Sequence, residues 1–244
     1  MRKTARIVCI IPALNEADAI SRVISEVPDW VDRVIVADNG STDATADVAG
    51  SAGALVVSEP QRGYGAACLA GIAAADDADV IVFLDGDYSD RPGEMVRLVA
   101  PILEDRADMV IGSRVLGTRE HGALTPQQVF GNWLATRLIR SFWGVHYTDL
   151  GPFRAIRKSS LDALGMADRN FGWTVEMQIK AARKNLRTRE VPVSYRRRIG
   201  VSKISGTIVG SVKAGTIILQ TIAASALADA RARRSRRAGT VVSA

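Results

Sequence analysis

The chain has 244 residues, 47% of them apolar and 24% charged, a balance that supports a sizeable core and excludes a largely disordered protein. Two cysteines (Cys9, Cys68) and two histidines (His121, His146) are too few for a disulfide framework or a thiolate–imidazole metal centre, so any metal must be held mainly by carboxylates. The net charge of +6 conceals an asymmetry: residues 1–122 hold 11 basic and 20 acidic side chains, which suits a cation, and residues 123–244 hold 21 and 6, which suits an anionic partner.

Ile7–Ile11 is a β-branched apolar run that predicts a buried first strand. The basic residues before Ile7–Leu14 imitate a signal peptide, but the run is short, contains Pro12 and lacks a small-residue cleavage site. Ala17–Val27 has helical spacing through Ile20, Val23, Ile24 and Val27 and stops before Pro28. Val34–Ala37 is a strand ending at Asp38, and Thr42–Ala49 a short helix capped by Ser41 or Thr42. Ala54–Val57 (strand), Gly63–Ala75 (helix), Val80–Leu84 (strand ending at Asp85), Gly93–Leu103 (helix) and Met109–Ile111 (strand) follow. This alternation predicts an α/β fold: a mostly parallel, Rossmann-like sheet with helices on both faces and right-handed crossovers.

The second half is less regular. Gln127–Phe142 reads as a helix, Phe153–Ile156 as a strand, Thr174–Lys184 as a helix and Thr188–Tyr195 as extended around Pro192. A basic loop, Arg196–Lys203, comes next. Ala214–Ala228 holds no charge but is too short and too polar to span a membrane. It either lies in a membrane interface, aided by Arg231, Arg233, Arg234, Arg236 and Arg237, or packs on the domain. We expect one domain over residues 1–228, its halves 1–115 and 116–228, followed by a disordered basic tail at 229–244. A cytoplasmic protein, peripheral on an anionic membrane, is the expected location.

Ligands of open α/β sheets bind beyond the carboxyl ends of the strands. Polar residues gather there: Asn15-Glu16, Asp38-Asn39-Gly40-Ser41, Asp85-Gly86-Asp87 and Ser113-Arg114. Asp85 and Asp87 form the sharpest constellation. Two adjacent carboxylates repel unless a cation neutralises them, and oxygen ligands suit Mg2+ or Mn2+ shared with substrate phosphates. Asp-Gly is also ordinary turn chemistry, and Asp90 either adds a third carboxylate or faces water. Asp38 either closes a turn or accepts hydrogen bonds from a base or ribose. Gly63-Tyr64-Gly65 lacks the third glycine of a dinucleotide fingerprint, since Cys68 stands there. It reads as a close backbone approach to a ligand or to the sheet. Ser113, Arg114, Arg137, Arg154, Arg198 and Lys203 are candidates for binding phosphate.

Six ordered motifs carry a resemblance: Ile11-Pro12-Ala13-Leu14-Asn15-Glu16, Asp38-Asn39-Gly40-Ser41-Thr42-Asp43, Gly63-Tyr64-Gly65-Ala66-Ala67, Leu84-Asp85-Gly86-Asp87, Gly112-Ser113-Arg114 and Gly200-Val201-Ser202-Lys203. Together they resemble family 2 inverting glycosyltransferases, in particular the polyprenyl-phosphate (dolichol-phosphate mannose synthase-like) branch. The resemblance implies a GT-A fold with an acceptor-side C-terminal extension. It implies that Pro12, Ala13, Asn15, Glu16 and Asp38 hold the nucleoside, with Gly63, Gly65 and Gly86 assigned to the same nucleotide-sugar site. Asp85 and Asp87 would coordinate Mg2+ or Mn2+ on the donor diphosphate. Ser113 and Arg114 would lie near the acceptor phosphate, with Arg137 and Arg154 also offered to the acceptor. Arg198, Ser202 and Lys203 would form a basic lid, so that Asp87, Arg114, Arg198 and Lys203 carry the catalytic assignment.

The expected reaction is hexose transfer with inversion, from a UDP-glucose or GDP-mannose type donor to a polyprenyl phosphate. A phosphate monoester, with a second pKa near ~6, needs no strong base. The alternative is transfer to a hydroxyl of a small metabolite or glycan, with Asp149 as general base. A non-catalytic module binding nucleotide sugars or nucleic acid is a further possibility, although nucleic acid is not an expected partner.

Overall fold

The computed structural model describes residues 5–200 and 208–241. Seven strands form one sheet: β1 (Ile7–Ala13), β2 (Arg33–Asp38), β3 (Leu55–Ser58), β4 (Val80–Phe83), β5 (Met109–Ser113), β6 (Arg154–Arg157) and β7 (Thr188–Pro192). Their spatial order is β3-β2-β1-β4-β6-β5-β7. Every pairing is parallel except those of β6, which runs antiparallel to both β4 and β5. The helices are α1 (Ala17–Ser25), α2 (Thr45–Ser51), α3 (Tyr64–Ala73), α4 (Met95–Leu103), α5 (Pro126–Trp143), α6 (Lys158–Leu164), α7 (Trp173–Arg183) and α8 (Ile208–Val241).

The period-two alternation of strand side chains explains the two cores. Val8, Ile10, Ile35, Ile81, Phe83, Met109 and Ile111 point to one face and pack with residues of α3, α5 and α7. Cys9, Ile11, Val36, Val82, Val110 and Ala155 point to the other and pack under α1 and α4. β1, β4 and β5 are buried along their whole length, which is why β1, β4 and Met109–Ile111 of β5 read as apolar runs.

β6 brings the second half of the chain into the middle of the sheet, between β4 and β5. Several expectations need correction. α2 starts at Thr45 rather than Thr42, because Asp43 accepts hydrogen bonds from the Thr45 amide and hydroxyl and keeps 41–43 in the loop. Pro92–Glu94 forms a 3₁₀ turn that leads into α4. α6 lacked a readable signal. No tail departs at residue 229. α8 continues to Val241, as an alanine- and arginine-rich stretch favours. Asp229 accepts hydrogen bonds from Trp143 Nε1 at 2.7 Å and Arg183 Nε at 2.9 Å, tying α8 to α5 and α7. Among the described residues no helix is long and apolar enough to cross a membrane.

Candidate active site

The carboxyl ends of β1, β2 and β4 form a polar rim. The chain leaves β1 through Asn15, in the left-handed region at φ 54°. That turn places its amide on Ser41 Oγ at 2.9 Å and its Oδ1 within 2.7 Å of the Thr42 amide. Glu16 follows, its amide donating to Thr45 Oγ1 at 2.8 Å. Asp38 accepts the Ser41 amide at 3.2 Å and so closes its own turn. Asn39 joins the next loop to β2: its Nδ2 donates to the carbonyls of Glu59 and Gln61, and its Oδ1 accepts the Gly63 amide at 2.7 Å. Pro12 and Ala13 end β1 in register with Ala37 and Asp38.

Gly63 and Gly65 make a close backbone approach, to segment 168–170. A Cβ at Gly63 or Gly65 would overlap the carbonyl oxygen of Arg169 or Asp168, respectively. The Gly65 and Ala66 amides donate to the carbonyls of Asn170 (3.1 Å) and Arg169 (3.0 Å). The start of α3 therefore packs against segment 168–170. Gly86 faces Ile11, Ile20 and Ala13, so its small size serves packing.

Asp85 and Asp87 follow β4. The Tyr64 hydroxyl donates to Asp85 Oδ1 at 3.1 Å. Burial, and then the charge of Asp87, push the Asp85 carboxyl up to about 7. Asp87 Oδ1 accepts the Ser89 amide (2.9 Å) and hydroxyl (2.5 Å). Asp90 lies behind the pair. Its Oδ2 accepts the Asp85 amide at 3.3 Å, its Oδ1 is buried without a partner, and burial and the two neighbouring aspartates raise its pKa. Hard oxygen donors, crowded enough that one holds its proton near neutrality, fit a divalent cation. Among the described residues no cluster of three or more metal-ligating side chains is assembled, so substrate oxygens would have to complete the coordination.

The basic loop lies against this acidic one. The Arg196 amide donates to the Ser89 carbonyl (2.8 Å) and the Ile199 amide to the Asp87 carbonyl (2.9 Å). Arg196 forks onto Glu26 and stacks 3.5 Å from the centre of the Tyr88 ring. Arg198 reaches both Glu16 and Asp87, at 3.1 Å each. Tyr64 and Arg196 are the residues to which sequence reasoning gave no role, although Tyr64 lies inside the Gly63-Tyr64-Gly65 motif and Arg196 inside the basic loop. Ser202 and Lys203 lie outside the described residues.

The expected acceptor residues separate. Ser113 is buried, shares a hydrogen bond with Thr148 Oγ1 at 2.7 Å, and accepts the amides of Val115 and Leu116. Arg114 grips Asp149 with Nε at 2.8 Å and Nη2 at 2.6 Å. The Arg114 backbone amide adds a third bond, at 2.8 Å. Burial opposes ionisation of Asp149, but the charge and hydrogen bonds of Arg114 outweigh it and hold the carboxyl below its usual range. Asp149 is thus a committed partner and not a poised base. Arg154 does not reach the site. It is fully buried, donates to the carbonyls of Leu150, Gly151 and Thr174, and burial lowers its pKa to about 10. Arg137 sits on the wall of a cavity of about 310 Å³ shared with Arg119, Trp133, Arg140, His146 and Asp149.

Comparison with known proteins places this geometry. The model of "Glycosyl transferase family 2" matches residues 8–165. An uncharacterized glycosyltransferase of Mycobacterium tuberculosis is 36% identical over 206 residues, 83% of this chain and 91% of the relative. An undecaprenyl-phosphate mannosyltransferase of Micrococcus luteus is 31% identical over 221 residues, 84% of this chain and 90% of the relative. The structure of glucosyl-3-phosphoglycerate synthase from Mycobacterium tuberculosis, with Mn2+, uridine-diphosphate-glucose and phosphoglyceric acid, superimposes with a TM-score of 0.73 at 23% identity. That match covers 91% of this chain and 80% of the other. A likeness at that identity establishes the fold, which is GT-A.

Proposed function

The chain belongs to glycosyltransferase family 2, and from that premise we propose that it moves a hexose, with inversion, from a nucleotide-diphosphate sugar to a polyprenyl phosphate. The observation that carries this reading is the acidic pair Asp85–Asp87 at the end of β4, faced by Arg198 across the rim. In this reading Asp85 and Asp87 hold Mg2+ or Mn2+. The ion, when bound, supplies positive charge beside the diphosphate as it leaves. Pro12, Ala13, Asn15, Glu16 and Asp38 receive the nucleoside. Arg198 turns from Asp87 toward the phosphates and adds a guanidinium where negative charge develops. The acceptor phosphate enters from the side of Arg137, where the cavity wall carries two more guanidinium groups.

Two observations support a phosphate acceptor over a hydroxyl. A phosphate monoester is largely a dianion at neutral pH and needs no base. Asp149, the carboxylate considered above as a base for a hydroxyl, is already bound on both oxygens by Arg114. The Micrococcus luteus relative, an undecaprenyl-phosphate mannosyltransferase, supports the same acceptor class.

The test offers UDP-glucose and GDP-mannose, each with and without a short-chain polyprenyl phosphate and with Mg2+ or Mn2+, and measures nucleoside diphosphate release. Release that requires the polyprenyl phosphate, and falls about a hundredfold or more in Asp87→Ala, is the expected result. Release driven equally by a hydroxyl acceptor without phosphate would overturn the acceptor assignment.

A further inference from the structure

The outer face of α5 carries Phe130, Trp133, Arg137 and Arg140, spaced by three, four and three residues, so they share one stripe. The opposite face buries Ala135 and Ile139. Phe130 is 61% exposed and Trp133 51%, and their ring centres lie 5.8 Å apart. The loop after β5 adds Val115 and Leu116, each about half exposed. Val115, Val129 and Trp133 wall the same cavity as Arg119, Arg137 and Arg140, so the apolar and guanidinium groups surround one opening. α5 contains no acidic residue, and among the described residues these three arginines pair with no carboxylate.

We propose that this face docks on an anionic lipid bilayer, with Leu116, Phe130 and Trp133 entering the interface and Arg119, Arg137 and Arg140 meeting lipid phosphates. Charge complementarity selects the occupant. Aromatic side chains beside arginines, on a helix that carries no acidic residue, match the composition of an interfacial helix. A second copy docking through the same face would bring its own three arginines against these, burying like charges without counterions. A phosphate-bearing surface neutralises them. The inference rests on the polyprenyl-phosphate reading above, because it lets the acceptor stay in its bilayer while its phosphate enters the cavity from that side.

The experiment uses the full chain with vesicles of phosphatidylcholine, alone or with one third phosphatidylglycerol, and measures co-sedimentation. Wild type should bind the anionic vesicles at least tenfold more tightly than the neutral ones. The exposed pair Leu116→Ser/Phe130→Ser should weaken that binding about tenfold. Its transfer to a water-soluble short-chain polyprenyl phosphate should be unchanged, which also reports an intact fold. In the wild type, bromine-labelled lipid should quench fluorescence that is lost in Trp133→Phe.

Vesicle binding unaffected by the double substitution would overturn the proposal, and so would binding abolished only by deletion of residues 233–244. A wild-type dimer that the double substitution dissociates would assign the face to a second copy instead. Transfer to the soluble acceptor without vesicle binding removes the docking face and keeps the function. Vesicle binding without transfer to any polyprenyl phosphate removes the acceptor reading while the face stands.

Discussion

Arg114 and Asp149 neutralise each other at the back of the cavity, with Asp149 almost wholly buried. Removing one charge of such a pair leaves the other stranded, at a cost of about 3–5 kcal/mol. Asp149→Asn should therefore lower the thermal midpoint strongly. A catalytic base would behave differently, with stability unchanged and turnover lost. Asp85 offers a separate test. Its carboxyl, at about 7 instead of the ordinary 3.8, is mostly protonated in mildly acid solution and must shed that proton to bind a cation. Apparent affinity for Mn2+ should rise about tenfold per unit at low pH and level off above about 7. Calorimetry in buffers of differing ionisation enthalpy should find nearly one proton released per ion at the acid end and few at pH 8. Tyr64 donates to the charged form of Asp85, so Tyr64→Phe should move this curve to higher pH.

At the scale of elements, two glycines make opposite predictions. Gly65 opens α3 against the carbonyl of Asp168, and an added methyl group has nowhere to go. Gly65→Ala should lower the denaturant midpoint, by about 1–3 kcal/mol in stability, and push Tyr64 off Asp85. Gly131 lies inside α5 with nothing near its missing Cβ. There Gly131→Ala should raise stability by about 0.5–1 kcal/mol through helix propensity alone. The strands were legible because positions buried on both faces are mostly apolar, as all of β1 and β4 and Met109–Ile111 of β5 are. β6 was less so. Its four residues begin and end in arginine, and nothing in Arg154–Arg157 states that the strand runs antiparallel or lies between β4 and β5. Arg154 looked like a phosphate ligand for the same reason. A charge says nothing about burial until the carbonyls that will surround it are known.

Across the whole molecule, the acidic and basic halves of the sequence meet at the rim. Arg196 pairs with Glu26, and Arg198 with Glu16 and Asp87, residues far apart in the chain. The carboxyl-end rim and its aspartates were readable because strand order in a parallel sheet brings successive loops to one edge. The docking of 196–199 on the Asp87 loop and of 168–170 on α3 was not. Those contacts are made by backbone amides and carbonyls, which every residue possesses. Both contacts hold residues near the site, so Arg196→Ala should do more than remove a surface charge. It loses the stack on Tyr88 and the bond to the Asp90 carbonyl, and the KM for the nucleotide sugar should rise while the acceptor KM stays near its wild-type value.

The antiparallel strand at the centre of the sheet also sets a timetable for synthesis. β1 to β4 emerge from the ribosome in an order that lets them pair as they appear, but the neighbour that covers the outer edge of β4 is not finished until Arg157. β5, made earlier, waits for that strand as well. Through this interval the nascent chain presents a buried-type apolar edge, Val80–Phe83, to the surrounding water. An open edge of that kind invites pairing with other chains. Slow translation between the emergence of β4 and the emergence of β6 should therefore lengthen the exposure and lower the soluble yield, whereas pauses after β6 has left the ribosome should not.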